Sequence, residues 1–263
     1  MSTIVRCVTL NVAGMQFDWL GLRFGSAVRQ LTALAPDVVC LQETTVRGGN
    51  EPYNQAVAVG EALNLPYGAF APYGNPAEIA AEEVGGVAVA SRWPIAYAES
   101  RRLPPGGING PDPRVALLVR LLAPGGDVVV ATVHLSWHLE QINVRLRQLG
   151  VLLDYLWSLG LCQEDARLVL AGDLDATENE PAIAEASSLL VDSYRRLHPD
   201  LPGFTWERTN PLTQKSTDPS RRLDYAFCPF GAEIQEARVV LDHADPVYPS
   251  DHYGLFIQAR FAS

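Results

Sequence analysis

The segment AGDLDATENE, residues 171–180, sets two carboxylates, Asp173 and Asp175, one residue apart, directly after the apolar run RLVLAG. Taken alone this is turn chemistry, because Gly with Asp is common in loops and Asp side chains bond nearby backbone amides. The same pattern recurs elsewhere. VTLNVAG runs into Asn11, LQET places Glu43 after an apolar run, ATVHLSW ends on His134, RRLDYAF embeds Asp224, and YPSDHYGLF sets Asp251 beside His252. Each has an ordinary structural reading: Asn11 as a turn cap, Glu43 as a solvated carboxylate, the histidines as satisfied core groups, Asp224 as a partner of Arg221 or Arg222. Together they point to chemistry, since charged groups are seldom placed in apolar strands unless paired or bound to metal. Carboxylates and an Asn carbonyl are hard oxygen donors that suit Mg²⁺ or Mn²⁺. Such a cation stabilises charge on a phosphate, while a carboxylate or His positions and deprotonates water and a second His faces the phosphoryl oxygens. The chemistry implied is metal-assisted phosphoryl transfer.

The elements that must position these groups are short Val-, Ile- and Leu-rich runs such as IVRCVTL, DVVCLQ, GGVAVAS, VALLVRLL, DVVVATVHL, RLVLAG, LDYAF, ARVVL and GLFIQARF. Their length and β-branching predict strands covered on both faces. The clearest helical pattern covers residues 138–157, where Ile142, Leu146, Leu149, Leu153 and Leu156 form an apolar stripe predicted to be core, with Arg145, Arg147 and Gln148 between them. Weaker helices are predicted over residues 25–35, 53–63 and 179–190. Gly and Pro concentrate in PPGGINGPDP, residues 104–113, and mark a loop. Hairpin spacings such as VALLVRLLAPGGDVVVATVHL predict an α/β class with antiparallel pairing, pairs of sheets with outer helices, rather than a doubly wound parallel sheet.

Composition narrows the function. The 263 residues, 48% hydrophobic, suffice for one large core, and a single domain over 1–263 is expected. No apolar stretch approaches the roughly 20 residues of a bilayer span, and the N-terminal segment lacks the features of a secretory signal, so the expected location is cytoplasmic. Cys7, Cys40, Cys162 and Cys228 are widely scattered and read as buried thiols rather than a disulfide frame or zinc cluster. The net charge of −10 opposes extended binding to nucleic-acid phosphates. Among the 20 basic residues only Lys215 is a lysine, to which no function is attached.

In order along nearly the whole chain, TLNVAG, CLQET, GGVAVASRWPI, ATVHLSW, AGDLDA, RRLDYAF and PSDHYGL resemble the motifs of the endonuclease/exonuclease/phosphatase superfamily, the deoxyribonuclease I-like proteins. The resemblance implies a four-layer α/β/β/α sandwich with two mixed, largely antiparallel sheets and a site at one end. It implies Glu43 as the principal metal ligand with Asn11 beside it, and Asp251 as a further ligand or metal-shell carboxylate. Asp173 matches the acid that orients or activates water, and Asp224 with His252 the Asp/His pair at the scissile phosphate; either Asp173 or His252 is the proton acceptor. His134 matches a second His that contacts phosphate oxygens. Arg114 is read either as a phosphate contact or as a strand-start arginine.

Two residues depart from the pattern. Many members carry Asn where this chain has Asp175. An ionised carboxylate about 4 Å from a phosphate charge costs on the order of 4 kcal/mol at an effective dielectric near 20. Asp175 is therefore expected to be protonated, turned away or, as the neighbouring acids favour, bound to metal or placed in the metal's shell. Ala13 stands where some branches carry Asp or Asn, which disfavours a second metal. The expected substrate is a small phosphorylated metabolite or nucleotide, cleaved as a diester or monoester, with a DNA or RNA nuclease next and a non-catalytic binding protein on the same scaffold third. Tyr53, Tyr73, Trp137, Trp206 and Tyr253 lie near site loops and could stack on a base. No long apolar hairpin argues for membrane insertion.

Overall fold

The computed structural model describes residues 2–17, 19–48, 52–74, 83–108, 110–213 and 216–262, so Lys215 and Asn109 lie outside the described residues. In chain order the strands are β1 (Thr3–Asn11), β2 (Val38–Arg47), β3 (Tyr53–Asn54), β4 (Tyr67–Pro72), β5 (Glu83–Ser91), β6 (Ile95–Gly106), β7 (Asp112–Leu121), β8 (Val128–His134), β9 (Leu168–Asp173), β10 (Val191–Asp192), β11 (Asp224–Cys228), β12 (Glu233–Val240) and β13 (Gly254–Phe261). The helices are α1 (Phe24–Leu34), α2 (Gln55–Ala62), α3 (Ile142–Ser158), α4 (Pro181–Leu189) and the short α5 (Ser193–Leu197).

Period-two side-chain alternation builds the layers. In β2, Val38 and Cys40 enter the core between the sheets while Val39 and Leu41 face α1 and α2. In β7, Val115, Leu117 and Val119 enter the same central core, and Ala116 and Leu118 pack beneath α3 and α4. Both faces are buried, which is why these strands read as continuous apolar runs. One sheet has seven strands, ordered β12-β13-β1-β2-β5-β4 with β3 on β2, and the other has six, ordered β10-β11-β9-β8-β7-β6. Among the described residues only β1–β2 and β8–β9 pair in parallel. This is the α/β/β/α sandwich the motifs imply, and all four cysteines are buried and free. Among the described residues no helix is long and apolar enough to cross a membrane.

The predicted helix at 138–157 starts later, at Ile142. Ile142 is 40% exposed and does not belong to the core, whereas Arg145 and Gln148 are fully buried. Polarity of these two side chains hides their burial from a periodicity reading. Arg145 donates to the carbonyls of Ser136 and His138 and pairs with Glu180 at 2.8 Å, while Gln148 accepts from Ser136 N–H and donates to Pro104 O. They shape the loop that follows His134.

The sheets are also joined by polar groups. Gln42 of β2 donates to Thr9 of β1 at 3.0 Å and, across the sandwich, to Thr132 of β8 at 2.9 Å. This clasp lies one residue from Glu43 and two from His134.

Candidate active site

The strand ends of both sheets converge. In the second sheet, His134 is the β8 neighbour of Asp173, and Asp173 is directly opposite Asp224, so three adjacent strands present three functional groups in a row. Gly172 permits this spacing: a Cβ there would stand 2.1 Å from the carbonyl oxygen of Val133. In the first sheet, β1 and β2 run parallel with Asn11 beside Gln42, which brings Glu43 to the same edge. Glu43 sits where the β2–β5 register shifts between Leu41 and Thr44, with φ of 53°. Such a bulge turns a side chain out of the pleat, and left-handed backbone in a non-Gly residue costs about 1–3 kcal/mol, a strain that clusters at functional sites. Asp175 and Ala13 share the feature, at φ 49° and 55°.

Asn11 joins the two sheets. Its Nδ2 donates to Glu43 Oε1 at 3.1 Å and to Asp173 Oδ2 at 2.9 Å, while its Oδ1 accepts from Ala13 N–H at 2.9 Å. The amide therefore shows nitrogen, not its carbonyl, to the acids, and to ligate a cation it must turn over and release Ala13. Asp173 Oδ2 lies 3.6 Å from His134 Nε2 and 3.7 Å from His252 Nε2, and its Oδ1 accepts from Asp175 N–H at 3.0 Å.

The two histidines have opposite electrostatics. Nδ1 of His252 donates to Asp224 Oδ2 at 2.9 Å. Burial works against a charge on this ring, but Asp173 and Asp224 outweigh it and hold the imidazolium well above the usual range. Burial, reinforced by the Arg114 guanidinium and opposed by Asp173, pulls His134 down to about 4. Geometry fixes its tautomer. Arg114 Nη1 lies 3.3 Å from His134 Nδ1 and a guanidinium only donates, so Nδ1 accepts and Nε2 carries the proton toward Asp175 Oδ2, 3.0 Å away. Burial raises the carboxyl of Asp175 above its ordinary value. Arg114, 5% exposed, is also paired to Asp112 at 2.7 Å.

These groups border a cleft of about 640 Å³ whose lining includes Glu43, Tyr73, Asp112, Arg114, His134 and Trp137. A recess of about 220 Å³ shares Glu43, His134 and Trp137 and adds Asp173, Asp175, Trp206, Arg221 and His252. Asp251 lines neither hollow; its Oδ1 is 3.2 Å from Ser250 Oγ, and the Ser250 hydroxyl donates to the Asn11 carbonyl at 2.6 Å. Asp224 and Arg222 do not pair: Arg222 binds Asp192 and Glu178, and Arg221 binds Asp218. Of the five aromatics, Tyr73, Trp137 and Trp206 line the hollows and Trp137 is 57% exposed, whereas Tyr253 is buried and Tyr53 accepts from Trp19. Sequence reasoning missed Thr205, whose hydroxyl oxygen accepts from the N–H groups of Leu223 and Asp224, both at 3.0 Å. The adjacent Trp206 bridges to both Arg221 and His252, so the pair Thr205–Trp206 was the available signal.

The donor set fits a hard divalent cation. Asp173 and Asp175 are grouped with His134, and Asp173 and Asp224 with His252, their candidate ligand atoms lying within 4.8 Å of one another, and Oδ1 of Asp224 is buried without a hydrogen-bond partner. With the imidazoles donating N–H, the acids are the donors left for a cation. Carboxylate oxygens predominate and, among the described residues, no cysteine lines either hollow, a composition suited to Mg²⁺ or Mn²⁺.

The model of the endonuclease/exonuclease/phosphatase family matches residues 8–252. The chain belongs to this family. Endonuclease/exonuclease/phosphatase proteins are generally hydrolases of phosphoesters and usually use a divalent metal. Among solved structures, an endonuclease/exonuclease/phosphatase protein from Beutenbergia cavernae is 24% identical with a TM-score of 0.73, the match covering 99% of this chain and 72% of that one. The human Nocturnin catalytic domain with bound sulfate anion is 20% identical, TM-score 0.73, covering 99% and 94%. TDP2 from D. rerio, complexed with single strand DNA product, is 19% identical, TM-score 0.71, covering 97% and 98%. These likenesses establish the fold. A comparison with curated proteins finds no match.

Proposed function

We propose that this protein is a single-domain, Mg²⁺- or Mn²⁺-dependent phosphodiesterase or phosphomonoesterase acting on a small phosphorylated metabolite or nucleotide. The observation that carries the reading is Asp173 Oδ2 set between two imidazoles, 3.6 Å from His134 and 3.7 Å from His252, whose pKa values their surroundings move in opposite directions. A cation held chiefly by Glu43, with Asp175, a reoriented Asn11 and, as a further ligand or shell carboxylate, Asp251 beside it, would supply positive charge to the phosphoryl oxygens and polarise water.

The chain's own residues divide the remaining work. His252, kept protonated by Asp224 and Asp173, is a donor to a phosphoryl oxygen rather than a base, which leaves Asp173 to orient the attacking water and take its proton. His134 donates its Nε2–H to a second phosphoryl oxygen, exchanging Asp175 for substrate. Arg114 holds that tautomer and brings positive charge to the wall of the cleft. Before a cation binds, Asn11 sets Glu43 and Asp173 at a fixed separation through its Nδ2.

A small substrate is favoured by the charge of the walls. Among the described residues lining the larger cleft, Glu43, Glu83 and Asp112 are acidic and Arg114 is the only arginine or lysine. A long polyanion would meet more repulsion than attraction there. The nuclease reading is kept because exposed Trp137 at the cleft offers a stacking surface and a neighbour of like fold is described with a single strand DNA product.

The test is hydrolysis of bis-p-nitrophenyl phosphate and p-nitrophenyl phosphate with Mg²⁺, Mn²⁺ or chelator, followed by nucleotides, sugar phosphates, DNA and RNA. Metal-dependent turnover lost in Glu43→Ala and His252→Ala is expected. Absence of turnover on every ester would favour a binding protein.

A further inference from the structure

We propose that Tyr73 is a positioning residue that couples the carboxylate side of the site to the phosphate side, an inference that deepens the hydrolase reading and rests on it. Tyr73 follows β4, the edge strand of the first sheet, and its N–H donates to Gly85 O at 3.0 Å. A Cβ on Gly85 would stand 3.4 Å from the Tyr73 ring, so the ring passes close over β5 at a residue without a side chain. Its far end reaches β2.

There the hydroxyl serves both halves of the sandwich. Its oxygen accepts the N–H of Glu43 at 3.0 Å, at the strained residue of the β2 bulge, and its O–H donates to Nδ1 of His134 at 2.8 Å, on the opposite sheet. The direction of the second bond follows from Arg114, which can only donate to the same nitrogen and does so at the longer distance of 3.3 Å. The Arg114 guanidinium also stands 5.3 Å from the centre of the Tyr73 ring, which fixes the ring from its face. One phenol thus ties the backbone that aims Glu43 to the imidazole that presents its Nε2–H beside Asp173 and Asp175. Removing the hydroxyl leaves a bulge N–H without its acceptor and an imidazole held only by its weaker donor. Tyr73 acts through Glu43 and His134 and need not touch the reacting atoms.

The decisive experiment uses the full-length, metal-free protein, wild type and Tyr73→Phe, labelled with ¹⁵N, the His134 signals being assigned by their loss in His134→Gln. In the wild type, Nδ1 of His134 should resonate as an unprotonated, hydrogen-bonded nitrogen. In Tyr73→Phe that resonance should move toward the free-nitrogen position, and the Glu43 amide should exchange with solvent about 10-fold faster or more, since its hydrogen bond is gone. Second, the Mn²⁺ dissociation constant should rise, and kcat should fall about 10-fold with KM little changed, as expected when a group that orients metal ligands is removed. A protonated Nδ1 in the wild type overturns the proposal without any variant. An unmoved His134 nitrogen or an unchanged Glu43 exchange rate in Tyr73→Phe overturns it as well. If no phosphoester is turned over by any form, the hydrolase reading fails, while the metal-free spectra still decide whether Tyr73 makes the link.

Discussion

Asp224 Oδ2 accepts from Nδ1 of His252 at 2.9 Å, while its second oxygen is buried with no partner. A carboxylate left half satisfied in a completely buried position is costly, and the charged imidazolium beside it is what offsets the cost. Asp224→Asn should therefore remove one of the two charges, the other being that of Asp173, that keep His252 protonated. Its imidazole should titrate at lower pH by NMR, and kcat should fall by about 10²–10³-fold, the range for losing a preorganised donor to a developing oxyanion. An Asn variant with wild-type kcat and His252 titration would remove the pair from the mechanism.

Much of this site was legible in the sequence because strands buried on both faces leave no innocent place for a charge. Asp173, His134 and Asp224 stood out against apolar neighbours, and they turn out to be adjacent across β8, β9 and β11. What stayed hidden depends on side-chain direction. Arg145 and Gln148 look like the solvent face of a helix, yet they are buried because their polar atoms meet loop carbonyls and amides. Ile142 fits the apolar stripe but lies in the first turn, beyond the edge of the core. Asn11 is at the expected place with its amide turned to bridge two acids, a choice set by Ala13 N–H that no residue spacing encodes.

The two buried histidines should pull stability in opposite directions with pH. The His134 pKa is about 4 in the folded chain against an ordinary 6.5, so between those values the unfolded chain binds the proton and the folded one does not. Stability attributable to His134 is lost as pH falls from 6.5 toward 4, by about 3 kcal/mol at most. His252 is raised, so its contribution is complete below 6.5 and is lost as pH rises through its folded value. Urea unfolding in chelator at pH 7 and 4.5 should show His134→Gln gaining on the wild type at the lower pH. A difference independent of pH would refute the neutral assignment.

Asp175 holds a left-handed backbone at φ 49°, which Asn tolerates as well as Asp, so Asp175→Asn should fold. Its carboxylate faces His134 Nε2 at 3.0 Å and belongs to the cluster with Asp173. If that oxygen helps to hold the cation, the Mn²⁺ dissociation constant should rise about 10-fold or more. Higher activity with unchanged Mn²⁺ affinity would instead mark Asp175 as a carboxylate that merely repels substrate phosphate.

Gly172 tests whether the row of functional groups depends on close strand packing. A Cβ at this position would meet the Val133 carbonyl oxygen at 2.1 Å and the Val133 nitrogen at 2.9 Å, both backbone atoms of the neighbouring strand. Neither can yield without parting β8 from β9, the pair that sets His134 beside Asp173. Gly172→Ala should therefore destabilise the fold by about 3 kcal/mol in urea unfolding, at the upper end of the usual cost of overpacking. Because the strain falls one residue before Asp173, the folded fraction should also lose kcat when assayed well below the melting temperature. An alanine variant with wild-type stability would mean that the two strands have room the register does not show.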